Sequence, residues 1–140
     1  MATHASRNTI TGLMFEEKVH MEQQGIDITK HKLYAFLKEK GIDWKDYISK
    51  KLLPDEAYFD QENNRVIIYE KKFQQTSGSA DEKPQTCGFK IRQYKKLFSS
   101  LGIEDVSYIY IFNGWFAKPE YKDMLEYIKS VEGCDYFIVE

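Results

Sequence analysis

The chain has 140 residues, which suits one domain and leaves no room for a second core. A hydrophobic content of 42% and an aromatic content of 15% are typical of a well-packed globular protein, and the net charge of −2 argues mildly against a general nucleic-acid binder. With no membrane-span pattern and no signal-peptide pattern, we expect a soluble cytoplasmic protein. The two cysteines, Cys87 and Cys134, lack metal-ligand spacing and are expected to be reduced thiols.

The first part of the chain predicts two helices. After a loose tail over residues 1–8, apolar residues recur at helical spacing from about 10 to 24. A second helix is predicted over residues 29–40, with Thr29 as its cap and an apolar stripe formed by Leu33, Phe36 and Leu37. The segment 42–53 fits either a helical turn or a first strand.

The next stretch predicts a β-hairpin. Two strands, about 56–59 and about 65–73, are joined by the polar turn 60–64. The second strand is apolar on both faces, which is typical of a buried strand. Because side chains alternate between faces, Glu70 and Lys72 leave the sheet on the same side near the strand end. Charges placed there need a metal, a substrate or each other.

Asp55, at the start of the first strand, completes a pattern of two acids and a lysine with Glu70 and Lys72. Two carboxylates can hold a hard divalent cation, usually Mg²⁺, and leave positions for water and phosphate. The metal lowers the pKa of bound water and neutralises charge on phosphate oxygens. The lysine can orient the water; to act as a base it would have to be neutral, which adjacent carboxylates disfavour. The alternative is a Pro-Asp turn followed by a surface ladder of Glu and Lys.

The motif P-D, fourteen residues and then E-K-K, which begins at Pro54 and ends at Lys72, resembles the signature of the PD-(D/E)xK nuclease superfamily. This superfamily has the restriction-endonuclease-like fold and carries the motif on a β-hairpin. The resemblance implies that Asp55 and Glu70 are metal ligands, that Lys72 is the catalytic lysine, and that Mg²⁺ is the cofactor, with Mn²⁺ as a substitute. Gln74 lies where several members carry a further polar residue on the same face, which implies that it assists the catalytic residues at the metal site.

The first predicted helix carries a second point of resemblance. Several members of the superfamily have a glutamate there, in an F-E-x-x-V context, that supports the metal site. Phe15, Glu16 and Val19 are similar to this context and point to Glu16 as a further catalytic residue. Helical periodicity alone favours Glu17, and a solvated Glu-Glu-Lys surface is the alternative to both.

A loop-rich segment over residues 75–86 follows the hairpin. Ser77 and Ser79 flank a glycine and can present backbone N–H groups to a phosphate, and Lys83 adds charge. The run S-G-S-A-D-E-K is similar to a segment that contacts substrate in some restriction-type nucleases. A flexible surface loop is the alternative.

An amphipathic helix is predicted over residues 89–99. Its inward residues are expected to be Ile91, Tyr94, Leu97 and Phe98. Its remaining surface is basic and carries Lys90, Arg92, Lys95 and Lys96. We expect these bases to neutralise phosphates beside the scissile bond, which would make binding salt-dependent. An ordinary solvated face is the alternative.

The remaining elements alternate as a strand over 107–112, a helix over 119–130 and a strand over 135–139. Their order predicts an α/β protein with a central mixed sheet flanked by helices. The resemblance implies a restriction-endonuclease-like α/β/α sandwich in which residues 1–140 form a single nuclease domain.

Motifs of other chemistries are absent from the sequence: G-x-S-x-G, G-x-x-x-x-G-K-[ST], paired histidines and C-x-x-C. The resemblance implies a magnesium-dependent endodeoxyribonuclease of the restriction or junction-resolvase type. Its expected partners are DNA and a second copy of the chain, because cutting both strands needs two sites. A methyltransferase or a recombination protein is a further expected partner. The alternative is a catalytically silent DNA-binding or protein-interaction module with the same fold.

Overall fold

The computed structural model describes residues 25–76 and 82–139, and these are organised around a mixed sheet of five strands. In chain order the strands are β1 (Ile26–Asp27), β2 (Glu56–Asp60), β3 (Arg65–Lys72), β4 (Asp105–Phe112) and β5 (Cys134–Ile138). They also lie in this order across the sheet. The pairs β1–β2 and β2–β3 are antiparallel, whereas β3–β4 and β4–β5 are parallel.

Three α-helices accompany this sheet: α1 (Lys32–Glu39), α2 (Cys87–Ser99) and α3 (Lys122–Ser130). Short 3₁₀ helices occupy Trp44–Asp46, Lys83–Thr86, Gly114–Ala117 and Pro119–Tyr121. None of the helices in the described part of the chain is long and apolar enough to cross a membrane. The helices and the mixed sheet confirm the predicted α/β class.

The core has two parts, one on each face of the sheet. The main cluster joins Val66 and Ile68 of β3 to buried residues of β4 and of all three helices. A smaller cluster on the opposite face contains Tyr58, Ile67, Tyr69 and Ile111. β3 is therefore buried on both faces, as its continuous apolar run predicts.

The predicted hairpin is confirmed, since the polar turn joins two paired strands and Asn64 takes a positive φ of 50° there. The stripe of α2 is also confirmed, because its four expected inward residues are all buried. Thr29 is not the cap of α1, which begins three residues later; its hydroxyl accepts the Ala57 N–H at 3.1 Å and ties the loop to β2 instead.

The remaining predictions have mixed outcomes. The ambiguous segment 42–53 contains a single 3₁₀ turn, and the short strand β1 has no counterpart in the sequence prediction. Both cysteines are free and buried, in agreement with the reduced thiols expected. The helix predicted over residues 10–24, with Glu16 and Glu17, lies outside the described residues, as do Ser77 and Ser79.

Candidate functional site

The hairpin register brings the two predicted acids together. The antiparallel ladder of β2 and β3 pairs Glu56 with Tyr69, so that the next residues outward are Asp55 and Glu70. Opposite residues of an antiparallel pair project from the same face of the sheet. The start of one strand and the end of its neighbour therefore place both carboxylates at one rim.

Two reciprocal hydrogen bonds hold these carboxylates in place. The Asp55 N–H donates to Glu70 Oε2 at 3.0 Å, and the Lys71 N–H donates to Asp55 Oδ2 at 2.8 Å. Each acid is thus oriented by a backbone N–H of the opposite strand. Among the described residues no donor contacts Asp55 Oδ1 or Glu70 Oε1, which leaves one oxygen of each carboxylate available to a ligand.

The surroundings of Glu70 strongly shift the pKa of its carboxyl group. Burial, followed by the negative charge of Asp55, raises the pKa of Glu70 to about 7, while the Asp55 N–H and the positive charges of Lys72 and Lys90 act in the opposite direction. The two acids are therefore close enough to repel each other. Carboxylates that crowd in this way are relieved by a shared cation.

The donor set fits a hard divalent cation. Both available groups are carboxylate oxygens, and Mg²⁺ is commonly held by one or two carboxylates together with water and substrate phosphate. No cluster of three or more His, Cys, Asp or Glu residues that could hold a metal occurs within residues 25–76 and 82–139. Asp55 and Glu70 are the two carboxylates that could hold such an ion, and Glu16, predicted from the first helix to support the metal site, lies outside the described residues.

The third member of the motif, Lys72, is half-buried and lies on the Glu70 side of β3. Its positive charge acts on Glu70 and lowers the pKa of that carboxyl. With the residues that the structure describes, the Lys72 ammonium forms no ion pair. Lys72 is therefore a cation beside two acids that do not neutralise it by direct contact. An ammonium that binds phosphate or water has to be free of such a contact.

The neighbouring Lys71 points to the opposite face, where its ammonium lies 2.8 Å from Glu56 Oε1. Tyr58 donates its hydroxyl to the other oxygen of Glu56, and burial followed by this contact raises the pKa of Tyr58. Because side chains alternate along a strand, the two lysines lie on opposite faces. Lys71 forms a buried structural contact, and Lys72 is a cation at the rim.

Beyond β3, Gln74 is fixed through its backbone by the end of β4. Its N–H donates to Asn113 Oδ1 at 3.1 Å, and its carbonyl accepts from Asn113 Nδ2 at 2.8 Å. The Gln74 side-chain amide donates to the Thr76 carbonyl. In this arrangement the amide is engaged with the loop, and its assisting role at the metal site stays a prediction.

The bases predicted to bind nucleic acid are distributed around α2. Lys90 is half-buried and its charge reaches Glu70, whereas Arg92 is exposed on another side of the helix. The charge of Lys95 acts on Cys134 at the start of β5. Lys83 is exposed in the 3₁₀ helix before α2. Of these four residues, Lys90 is the one whose charge is seen to act on Glu70.

Two tyrosines near Glu70 were not anticipated as site residues. Burial and then the charge of Glu70 raise the pKa of Tyr94, on α2, and of Tyr108, on β4. Tyr94 was predicted only as part of an apolar stripe. The signal that could have identified it is a hydroxyl within an otherwise apolar helix face, because a buried hydroxyl needs a polar neighbour.

Asp55, Glu70, Lys72 and Lys90 therefore form one electrostatic unit at the rim of the sheet. Comparisons of the chain with protein-family models, with curated proteins and with solved structures gave no match.

Proposed function

We propose that the protein is a magnesium-dependent endonuclease of the PD-(D/E)xK type, with a restriction-endonuclease-like fold, that hydrolyses phosphodiester bonds of DNA. The observation that supports this proposal is the reciprocal hydrogen bonding of Asp55 and Glu70 beside the ammonium of Lys72, which forms no ion pair with the described residues. Two acids and a cation at one rim of a sheet suit a reaction in which water attacks an anionic phosphorus centre.

Asp55 and Glu70 would hold the metal ion. Mg²⁺, when bound, supplies Lewis acidity that favours hydroxide over water and neutralises charge on the phosphate. Hydrolysis forms a bond between the water oxygen and phosphorus as that water gives up one proton to solvent, and it breaks one bridging P–O bond, whose oxygen takes a proton from solvent. The Lys72 side chain donates a hydrogen bond to the attacking water and stabilises negative charge on the phosphate oxygens.

The surroundings of the site strengthen these interactions. Tyr94 and Tyr108 are buried beside Glu70, and an environment of low polarity increases the electrostatic effect of a fixed charge. Lys90 adds a second positive charge from α2. A DNA backbone that runs along this rim would meet Lys72 and Lys90 on the side where its phosphates need neutralisation.

The decisive experiment incubates purified protein with supercoiled plasmid in the presence of either Mg²⁺ or EDTA. We expect the native protein to cleave the plasmid in Mg²⁺ and not in EDTA. Lys72→Ala should lower the cleavage rate by a factor of about 10²–10³ and retain DNA binding. Asp55→Asn and Glu70→Gln should lose cleavage and also lose binding of Mn²⁺, measured without DNA by electron paramagnetic resonance. Glu62→Gln, in the exposed turn of the same hairpin, is the matched control and should behave as the native protein.

Further arms of the experiment separate the alternatives. Cleavage of branched but not linear DNA would identify a junction resolvase, and cleavage of linear duplex a restriction-type enzyme. Coordinated cutting of both strands by a homodimer would give linear plasmid without an accumulating nicked form. If the native protein binds duplex, junction or single-stranded DNA and cleaves none of them, it is a DNA-binding module that lacks catalysis.

A further inference from the structure

A cleft of about 280 Å³ lies between α2 and the segment that follows the first 3₁₀ helix. It is lined by Ile48, Ser49, Phe89, Arg92, Gln93 and Lys96. This volume is close to the lower limit of small-ligand sites, about 300 Å³. The cleft therefore suits one group of the size of a nucleotide, and none of its residues belongs to the carboxylate site.

Gln93 lines this cleft, and its side chain carries an unsatisfied polar atom. Its Oε1 is buried, and among the described residues it has no hydrogen-bond partner. A buried acceptor without a donor costs free energy, which a donor from outside the protein would recover. An amide oxygen accepts from an amino group, so the missing partner has the chemistry of an N–H donor. No hydrogen bond to the described residues prevents the amide from turning towards such a donor.

The rim of the cleft supplies an aromatic face and positive charge. Phe89 is 63% exposed, unusually open for a large apolar side chain, and it lies one helical turn before Gln93. Arg92 and Lys96 are exposed and four residues apart, which places them on neighbouring turns of α2. Exposed aromatic rings stack on nucleobases, and such cations neutralise phosphates.

We propose that this cleft binds a single unstacked nucleotide of DNA whose base carries an exocyclic amino group. Phe89 stacks on the base, Gln93 Oε1 accepts from the amino group, and Arg92 and Lys96 bind the flanking phosphates. The inference deepens the proposed nuclease function and rests on it for its biological setting, because the charge of Lys90, on the same helix turn, acts on Glu70. The protein would then select an unpaired nucleotide near the bond it cuts.

Cytosine and thymine test this proposal with bases of similar size and stacking, since only cytosine has an exocyclic amino group. The full-length protein is titrated in EDTA, which prevents cleavage, with duplexes that carry a single-stranded tail of dC or of dT. Fluorescence anisotropy should show about tenfold tighter binding of the dC tail. Gln93→Leu should remove this preference while keeping the affinity for dT within about twofold.

Two further variants examine the rim. Phe89→Ala should weaken binding of both tails about tenfold, because stacking does not depend on the base. Phe137→Ala, at another exposed ring on β5, is the matched control and should leave both affinities unchanged. Circular dichroism checks that each variant is folded, and Gln93→Met replaces Gln93→Leu if the latter is not.

The outcomes separate this proposal from the nuclease proposal. Equal affinity for the two tails, no binding of either, or a preference that survives in Gln93→Leu overturns the cleft assignment whatever the plasmid assay shows. Plasmid cleavage without a dC preference keeps the nuclease and removes the cleft. A preference that depends on Gln93 in a protein that cleaves no DNA keeps the cleft and removes the nuclease.

Discussion

Glu56 and Lys71 form an ion pair of 2.8 Å on the face of the sheet opposite the proposed metal site, and their side chains are only 4% and 5% exposed. Glu56 follows Asp55 in the chain, and Lys71 lies between Glu70 and Lys72. Strand alternation therefore places a buried structural pair directly behind the residues of the proposed metal site. The pair links β2 to β3 at the end of the hairpin where the carboxylates lie.

This ion pair predicts that the adjacent residues Lys71 and Lys72 contribute differently to stability. Lys71→Met should lower the free energy of unfolding by about 3–5 kcal/mol, because it leaves the Glu56 carboxylate buried without its cation. Lys72→Met should change stability by less than about 1 kcal/mol, since the Lys72 ammonium forms no ion pair within residues 25–76 and 82–139. Urea denaturation in EDTA measures both. Equal destabilisation by the two substitutions would assign Lys72 a structural role.

The raised pKa of Glu70 predicts a pH-dependent stability. The folded protein keeps the Glu70 proton up to a pH of about 7, whereas the ordinary value is 4.5. Between these values the folded state binds more protons than the unfolded chain, so the contribution of Glu70 to stability falls as pH rises and is constant above about 7. Over this pH interval the free energy of unfolding of the native protein should fall by up to about 3 kcal/mol relative to that of Glu70→Gln.

Urea denaturation at a series of pH values, in EDTA, measures this difference. Subtraction of the Glu70→Gln curve removes the titration of all other groups that the substitution does not disturb. Parallel curves for the two proteins would show that Glu70 titrates in the fold as it does in the unfolded chain.

The hydroxyl of Tyr34 fixes the segment that leads into β2. It donates to the Leu52 carbonyl at 2.6 Å and accepts the Leu52 N–H at 2.7 Å. Tyr34→Phe should lower the free energy of unfolding by about 1–3 kcal/mol, because both backbone groups lose their partner. Thermal and urea denaturation measure the change. Tyr127→Phe, on the exposed side of α3, is the control and should be nearly neutral; an equal effect there would contradict the assignment.

The double hydrogen bond between Asn113 and the Gln74 backbone predicts a local change in protection. Asn113→Ala should make the amide of Gln74 exchange with solvent faster, by about five- to tenfold, because the side chain that accepts its N–H is removed. Hydrogen exchange followed by NMR measures this rate. Asn63→Ala, in the hairpin turn, should leave the Gln74 rate unchanged. An unaltered Gln74 rate in Asn113→Ala would mean that another group protects this amide.

The hairpin could be predicted from the sequence because its determinants are local. A β-branched run, a polar turn and the two-residue period of a strand are sufficient to place Glu70 and Lys72 on one face. The apolar stripe of α2 was equally predictable from its helical spacing. Thr29 shows where local signals fail, because its hydroxyl bonds to β2 rather than to the helix that follows it.

Only the tertiary structure determines which residues distant in the chain lie close together. Lys90 and Tyr94 lie beside Glu70 because α2 packs against the face of the sheet that carries this acid. Glu56 and Lys71 pair because the register of two strands aligns them behind the site. Sequence periodicity fixes the side of an element on which a residue projects, whereas the partner that it meets depends on how the elements pack together.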